Sequence, residues 1–146
     1  MSNYWIITAA RIVLGLIFLL GAVDGFSYIF TGAHLVHPPT SEAGLAFEGA
    51  LKASGFIWPL MKIVELVAAI ALLSNRAPAL GLALLLPLIA VISLFHVVLN
   101  PQGIPLAVVV LVCAAVLLKA YADRYASLLA PGPKRSRTPS GLGLRP

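Results

Sequence analysis

The chain has 146 residues and a formal net charge of +5, with 60% hydrophobic and only 10% charged residues. Soluble domains contain about 25% charged residues, and a chain this short cannot bury so large an apolar fraction. The composition therefore excludes an ordinary water-soluble domain and predicts an integral membrane protein whose first partner is the lipid bilayer. The net charge of +5 arises mostly from the C-terminal tail, where topology and anionic lipid account for it, so we expect no nucleic-acid partner.

Four apolar runs, at about 4–30, 56–73, 78–99 and 104–121, approach the length of membrane spans. A helix needs about 20 residues to cross the hydrocarbon core, and these runs lack the alternation of barrel strands. The connections "SNRAP" and "NPQGIP" are short, polar and contain proline or glycine. We therefore predict an all-α integral membrane protein in which residues 1–130 form an antiparallel up-down bundle of four transmembrane helices.

The first run is predicted to be a transmembrane helix rather than a cleaved signal peptide. Its beginning, "MSNYWIITAA", has no basic residue, and the run is longer than the apolar core of a signal peptide. Gly15, Gly21 and Gly25 in this run are expected to permit close helix packing rather than to bind a nucleotide.

A short amphipathic helix is predicted at about 42–54, between the first and second runs. Ser41 is suited to cap its start, Glu42 lies in its first turn, and Gly55 is suited to end it. Apolar residues such as Phe47 and Leu51 share one face of this helix. We expect it to lie at the outer membrane interface and to cover that end of the bundle, with partner binding as the alternative.

The ionisable residues at membrane depth are the main indication of a functional site, because each costs several kcal/mol unless it is paired or hydrated. At about 1.5 Å of rise per residue, Arg11 and Glu65 lie at similar depths on neighbouring helices, which predicts an ion pair. Asp24, Lys62 and His96 are expected to converge nearer the outer surface. These five residues are the candidates for ligand binding or proton handling, and no catalytic residue is predicted.

Two alternatives remain open for these residues. Buried ion pairs can serve only to fix the register and orientation of helices. His34, His37 and His96 could instead form a metal site, although the sequence predicts no metal ligand set. The single cysteine, Cys113, excludes an intrachain disulfide or a paired-cysteine redox motif.

The distribution of lysine and arginine predicts the orientation of the chain. Arg76 lies between the second and third runs, and Lys119 and Arg124 lie with further basic residues after the fourth, whereas Lys52 lies on the opposite side. We therefore predict a multi-pass protein of the cell (inner) membrane with both termini in the cytoplasm. Residues 131–146, rich in proline, glycine, serine and basic residues, are predicted to be a disordered cytoplasmic tail.

Three stretches together resemble the DoxX family of small four-helix membrane proteins. "RIVLGLIFLLGAVDGF" resembles the family's first helix through Arg11, Gly15 and Phe18, although Asp24 stands where a lysine is often found. "LKASGFIWPLMKIVELVAAIALL" resembles the second helix with its buried glutamate, here Glu65, and "LFHVVLNPQGIP" resembles the end of the third, here with His96.

The resemblance implies an accessory membrane subunit of an oxidoreductase or stress-related complex. A quinone headgroup or a partner enzyme would then be held near Arg11, Lys62, Glu65 and His96, with the carboxylate and imidazole handling protons. The chain would be at most a quinone-linked oxidoreductase subunit, since no self-contained catalytic site is visible. Its partners would be other membrane or redox-complex subunits, or further copies of itself. A structural or assembly protein and a small transporter are the alternatives.

Overall fold

The computed structural model describes residues 2–127, and this part of the chain contains helices and no strand. The predicted all-α class is confirmed. The helices are α1 (Ser2–Thr31), α2 (Glu42–Ala53), α3 (Ile57–Leu73), α4 (Pro78–Leu94), α5 (Ile104–Ala120) and α6 (Ala122–Ala126). A π-helical turn, Phe95–Leu99, and a 3₁₀ turn, Pro101–Gly103, join α4 to α5. The tail predicted at 131–146 lies outside the described residues.

Three helical stretches are long and apolar enough to cross a membrane: Asn3–Thr31, Pro78–Leu99 and Pro101–Ala120. Helix α3 has 17 residues and passes the same test only together with α2, from which it is bent by 95°. Gly55 lies at this bend with a φ of +77°, a conformation that glycine adopts without steric cost. The described chain therefore has three helices that are long and apolar enough to span a membrane, or four if α2 and α3 form one broken span, which indicates a membrane-embedded protein.

The long helices share one apolar interior. Helix α1 packs against α3 and α5, and α4 packs against the same two helices. The largest fully buried side chains are aliphatic and come from all four helices: Leu14, Leu72, Leu82, Leu85, Val110 and Leu117. Large aliphatic side chains are also exposed on the outward faces, among them Leu20, Ile63, Ile70, Leu80 and Val112. Lipid is the solvent that accommodates such an outer surface without cost.

Two glycines of α1 lie against the charged residues of α3. A Cβ atom on Gly25 would overlap the aliphatic stem of Lys62, and one on Gly21 would lie 3.2 Å from Glu65 Oε2. The predicted role of these glycines in close helix packing is thereby confirmed. They leave the space that two long ionisable side chains occupy between α1 and α3.

The short helix α6 is tied to the beginning of α4. The Tyr125 hydroxyl donates a hydrogen bond of 2.5 Å to Ala79 O. Burial raises the pKa of this hydroxyl, and the neighbouring Tyr121 raises it further. The hydroxyl therefore remains protonated up to alkaline pH, and its hydrogen bond to Ala79 O is retained. The contact places the end of the α5–α6 segment beside the α3–α4 connection.

Candidate functional site

Arg11 is satisfied by the end of α3 rather than by a carboxylate. Its Nη1 donates to Leu72 O, and it lies 3.4 Å from Leu73 O. The predicted Arg11–Glu65 ion pair is wrong, since no salt bridge of Arg11 occurs within residues 2–127. The last carbonyls of a helix lack intrahelical donors and carry its negative dipole, so they attract a guanidinium. Gly15 permits the approach, because a Cβ there would lie 2.8 Å from Leu73 Cγ.

Lys62 and Glu65 form a buried ion pair within α3. Lys62 Nζ lies 2.8 Å from Glu65 Oε2 and 3.1 Å from Oε1, and the two residues are 8% and 3% exposed. Lys62 does not pair with Asp24, although the sequence predicts that the two residues converge. Residues three apart on a helix face each other, so Lys62 reaches Glu65 without help from a second helix.

Asp24 organises the loop that follows α1. Its Oδ1 accepts hydrogen bonds from the backbone N–H groups of Leu35 at 2.6 Å and Val36 at 2.9 Å. Its Oδ2 lies 2.7 Å from His34 Nδ1. The carboxylate is thus fully used in holding the turn at 34–36, which explains why it does not face Lys62.

His34 links this loop to α2 through its other ring nitrogen. Nε2 lies 2.8 Å from Lys52 Nζ, and Lys52 Nζ lies 2.6 Å from Glu48 Oε1. Because the ammonium can only donate, Nε2 accepts and Nδ1–H donates to Asp24. The ring also stacks on Tyr28 with centroids 4.6 Å apart. We call Asp24, His34, Glu48 and Lys52 the latch. The sequence showed Glu48 and Lys52 only as an i,i+4 pair, and it gave no indication that His34 joins them.

The opposite end of α2 is fixed to the turn after α4. Ser41 Oγ donates to Leu99 O, and Ser41 N–H donates to Asn100 Oδ1 over 3.0 Å. The rings of Phe47 and Phe95 lie 5.9 Å apart. Helix α2 is therefore attached at both ends and extends across the other helices as a lid.

A cavity of about 480 Å³ lies beneath this lid, and we call it the lid cavity. The candidate residues that line it are Asp24, Lys62, Glu65 and His96, together with His34, Glu48 and Lys52 of the latch. Phe47, Leu51, Met61, Val91, Ile92 and Phe95 are among its apolar walls. The structure thus brings together four of the five predicted site residues. Arg11 lines neither this cavity nor the smaller second cavity. Its contacts with the end of α3 therefore give it a role in helix packing.

A second cavity, of about 170 Å³, lies among α1, α3, α4 and α5, and we call it the core cavity. Its other walls are apolar and include Phe18 and Val110. Both cavities are lined by Lys62, Glu65 and Ile92. The buried ion pair therefore lines both the larger chamber under the lid and the smaller, apolar chamber among the four long helices.

His96 lies in the π-helical turn, a type of irregularity that is frequent at functional sites. Its Nδ1 lies 3.4 Å from Asn100 O. The ring packs on Gly103, where any Cβ would overlap it. Within residues 2–127 the other nitrogen, Nε2, has no hydrogen-bond partner. A neutral ring with its proton on Nδ1 therefore offers an acceptor at Nε2.

Trp58 is a cavity residue that the sequence reading missed. It is 8% exposed, and its indole Nε1 is buried with no hydrogen-bond partner among the described residues. Its ring lies 4.7 Å from Lys52 Nζ and 4.8 Å from Lys62 Nζ, within cation–π range of both. Trp58 thus joins the latch to the buried ion pair. Its position one turn before Lys62 was the available signal.

A metal centre is not formed in the described part of the chain. No group of three or more histidine, cysteine, aspartate or glutamate side chains there is arranged to hold a metal ion. The alternative metal site of His34, His37 and His96 is therefore wrong. His34 is instead engaged by the latch, and His96 packs on the turn after α4.

No protein-family model, curated protein or solved structure matches this chain.

Proposed function

We propose that α1, α3, α4 and α5 form an antiparallel four-helix bundle in the inner membrane, with α2 at its outer interface and both termini in the cytoplasm. The helix contacts and the 95° bend between α2 and α3 support this arrangement. The Tyr125–Ala79 hydrogen bond supports the orientation, because it brings the basic residues Arg76 and Arg124 to the same end of the molecule.

Within that bundle, we propose that the lid cavity binds the headgroup of a small amphipathic molecule, with a quinone as the first choice. The observation that carries this proposal is the Lys62–Glu65 pair, which is buried and lies within a single helix. A pair inside one helix cannot fix the register of two helices, so helix packing alone does not account for it. The pair lines both cavities, so a ligand in either would meet it.

The composition of the cavity fits such a headgroup. Ligand pockets commonly enclose about 300–1,000 Å³ and combine apolar walls with a few polar groups, as the lid cavity does. A bound quinone would supply two-electron redox chemistry. The chain itself would bind and orient the headgroup, while Glu65 and His96 hold or transfer protons beside it. In keeping with the DoxX resemblance, the protein would act as an accessory subunit of an oxidoreductase or stress-related complex.

The proposal is tested by binding of decylubiquinone to the purified protein in nanodiscs. We expect Glu65→Gln to weaken binding by about tenfold or more, because it breaks the charge-assisted Lys62–Glu65 pair and so changes the wall of the cavity. Glu42→Gln is the matched control, since Glu42 is exposed and lines neither cavity. Absence of quinone binding to the parent protein, or equal binding by Glu65→Gln, would contradict the proposal.

A small transporter is the second candidate, and the core cavity is the observation that favours it. The smaller chamber lies among α1, α3, α4 and α5 and shares Lys62 and Glu65 with the lid cavity. Quinone binding without movement of protons or ligand across reconstituted vesicles would exclude this candidate.

A further inference from the structure

Two carboxylates that line the lid cavity are fully occupied by donors of the protein. Both oxygens of Asp24 accept hydrogen bonds from the loop that carries His34. Both oxygens of Glu65 accept from Lys62 Nζ, and Glu48 Oε1 lies 2.6 Å from Lys52 Nζ. A cationic ligand would therefore have to displace Lys62 or the loop to reach Glu65 or Asp24.

One donor of the cavity, by contrast, is unused. The Nε1–H group of Trp58 is buried and meets no acceptor among residues 2–127, although Trp58 lines the cavity. Buried polar groups in proteins are almost always hydrogen-bonded, so this group indicates an acceptor that the chain itself does not supply.

Two lysine–carboxylate pairs lie beside the indole. The ammonium groups of Lys52 and Lys62 lie within 5 Å of the ring of Trp58, at 4.7 and 4.8 Å. Each ammonium is paired with a carboxylate, Glu48 or Glu65, so the indole N–H is the donor beside these pairs that still lacks an acceptor among the described residues.

We propose that Trp58 is the recognition residue of the lid cavity, and that its indole N–H donates to a carbonyl or similar acceptor oxygen of the bound headgroup. The cavity then selects acceptor-bearing ligands over organic cations of similar size. This inference rests on the proposed function, because it concerns the ligand of the same cavity.

His96 adds a hydrogen-bond acceptor to the cavity, whereas Trp58 provides a donor. With the proton on Nδ1, its free Nε2 accepts from a hydroxyl group of the ligand. The quinone form of the headgroup can therefore use Trp58 through a carbonyl oxygen, and the quinol form can use His96 through a hydroxyl group. The ligand class is accordingly an oxygenated ring compound rather than an amine.

The test compares two tryptophan variants of the full chain in nanodiscs. Trp58→Phe keeps an aromatic ring and removes the N–H, while Trp5→Phe makes the same change at a residue that is 71% exposed and lines neither cavity. We expect Trp58→Phe to weaken decylubiquinone binding by about two- to tenfold, the effect of one neutral hydrogen bond. Trp5→Phe should bind as the parent does.

A second probe separates the hydrogen bond from packing. The probe is the analogue of decylubiquinone in which ring C–H groups replace both carbonyls, and its affinity should be the same for the parent and Trp58→Phe. The infrared carbonyl stretch of bound decylubiquinone should also move towards its free position in Trp58→Phe.

The outcomes distinguish this inference from the proposed function. An equal loss of affinity for both probes in Trp58→Phe would show that Trp58 acts through packing, and would overturn the inference. Unchanged quinone affinity in Trp58→Phe, or tighter binding of decylamine than of decylubiquinone by the parent, would also overturn it. Failure of the parent to bind decylubiquinone would overturn the proposed function and this inference together.

Discussion

Arg11 and Glu65 are both buried charges on neighbouring helices, yet each is satisfied locally by a different part of α3. Arg11 meets the carbonyl end of the helix, and Glu65 meets Lys62 one turn away. Depth along a helix restricts which residues can meet, but it does not distinguish a carboxylate from a helix end as the partner. The partner also depends on rotation about each helix axis and on the room left by small residues. Gly15 and Gly25 provide that room at these two contacts.

At Gly25 the structure predicts that the addition of one methyl group destabilises the protein. A Cβ there would overlap the stem of Lys62, so Gly25→Ala should displace Lys62 from Glu65. We expect a loss of stability of about 1–3 kcal/mol, as is typical of overpacking, measured by unfolding in mild detergent.

Gly49→Ala is the matched control, because a Cβ at Gly49 meets no atom within 4 Å. That substitution should be neutral or stabilising by up to about 1 kcal/mol, since alanine favours helix. Equal stability of the two variants would show that Lys62 adapts without cost and would refute the prediction.

At the scale of the element, α2 behaves as a lid because its two ends are fixed by different chemistry. The latch holds the C-terminal half through charged side chains of α1, the loop and α2. Ser41 holds the N-terminal end through hydrogen bonds to Leu99 and Asn100. The sequence predicted this helix and its Ser41 cap, and Ser41 Oγ indeed accepts from Gly44 N–H at 3.1 Å. The contacts of Ser41 that hold the helix in place join residues about 60 positions apart in the chain. Local sequence patterns do not predict such contacts.

Removing the serine hydroxyl should loosen one end of the lid. Ser41→Ala removes both the cap of α2 and the contact with Leu99, and caps contribute about 0.5–2 kcal/mol. We expect faster amide hydrogen exchange across α2, with exchange in α4 and α5 unchanged.

The control for this measurement is Ser74→Ala, an exposed serine in the connection between α3 and α4. It should leave exchange in α2 as in the parent. If exchange in α2 is unaltered in Ser41→Ala, then the latch alone holds the lid.

At the scale of the whole molecule, the protein is apolar both inside and on its outward faces, and the polar groups that line the lid cavity lie at one end. Aliphatic side chains fill the interior and also cover the outward faces of the long helices. The lid cavity gathers charged and aromatic residues from α1, α2, α3 and the π-helical turn after α4. This distribution is what a bilayer permits, because polar groups at membrane depth must face one another or a cavity.

The proposed orientation predicts which positions are accessible from each side of the membrane. Cys113 is the only cysteine and is buried, so Cys113→Ala provides a background for single-cysteine labelling. In intact cells, an impermeant maleimide should label Gly49→Cys in the lid and should reach Arg76→Cys only after the membrane is opened. Labelling of both positions from the outside would contradict the four-span topology.

The sequence by itself determined that this chain is helical and membrane-embedded, because apolar composition and run length depend only on neighbouring residues and the thickness of a bilayer. It also identified most of the buried ionisable residues that line the cavity, because a charged residue within an apolar run is recognisable in the sequence whichever way its side chain is directed. Only the tertiary structure decided their partners. It paired Lys62 with Glu65, directed Arg11 to the end of α3, and placed Trp58 between two lysines. The physical reason is that a partner depends on helix rotation, close approach at glycines and the course of a loop, and these are set by packing between residues far apart in the chain.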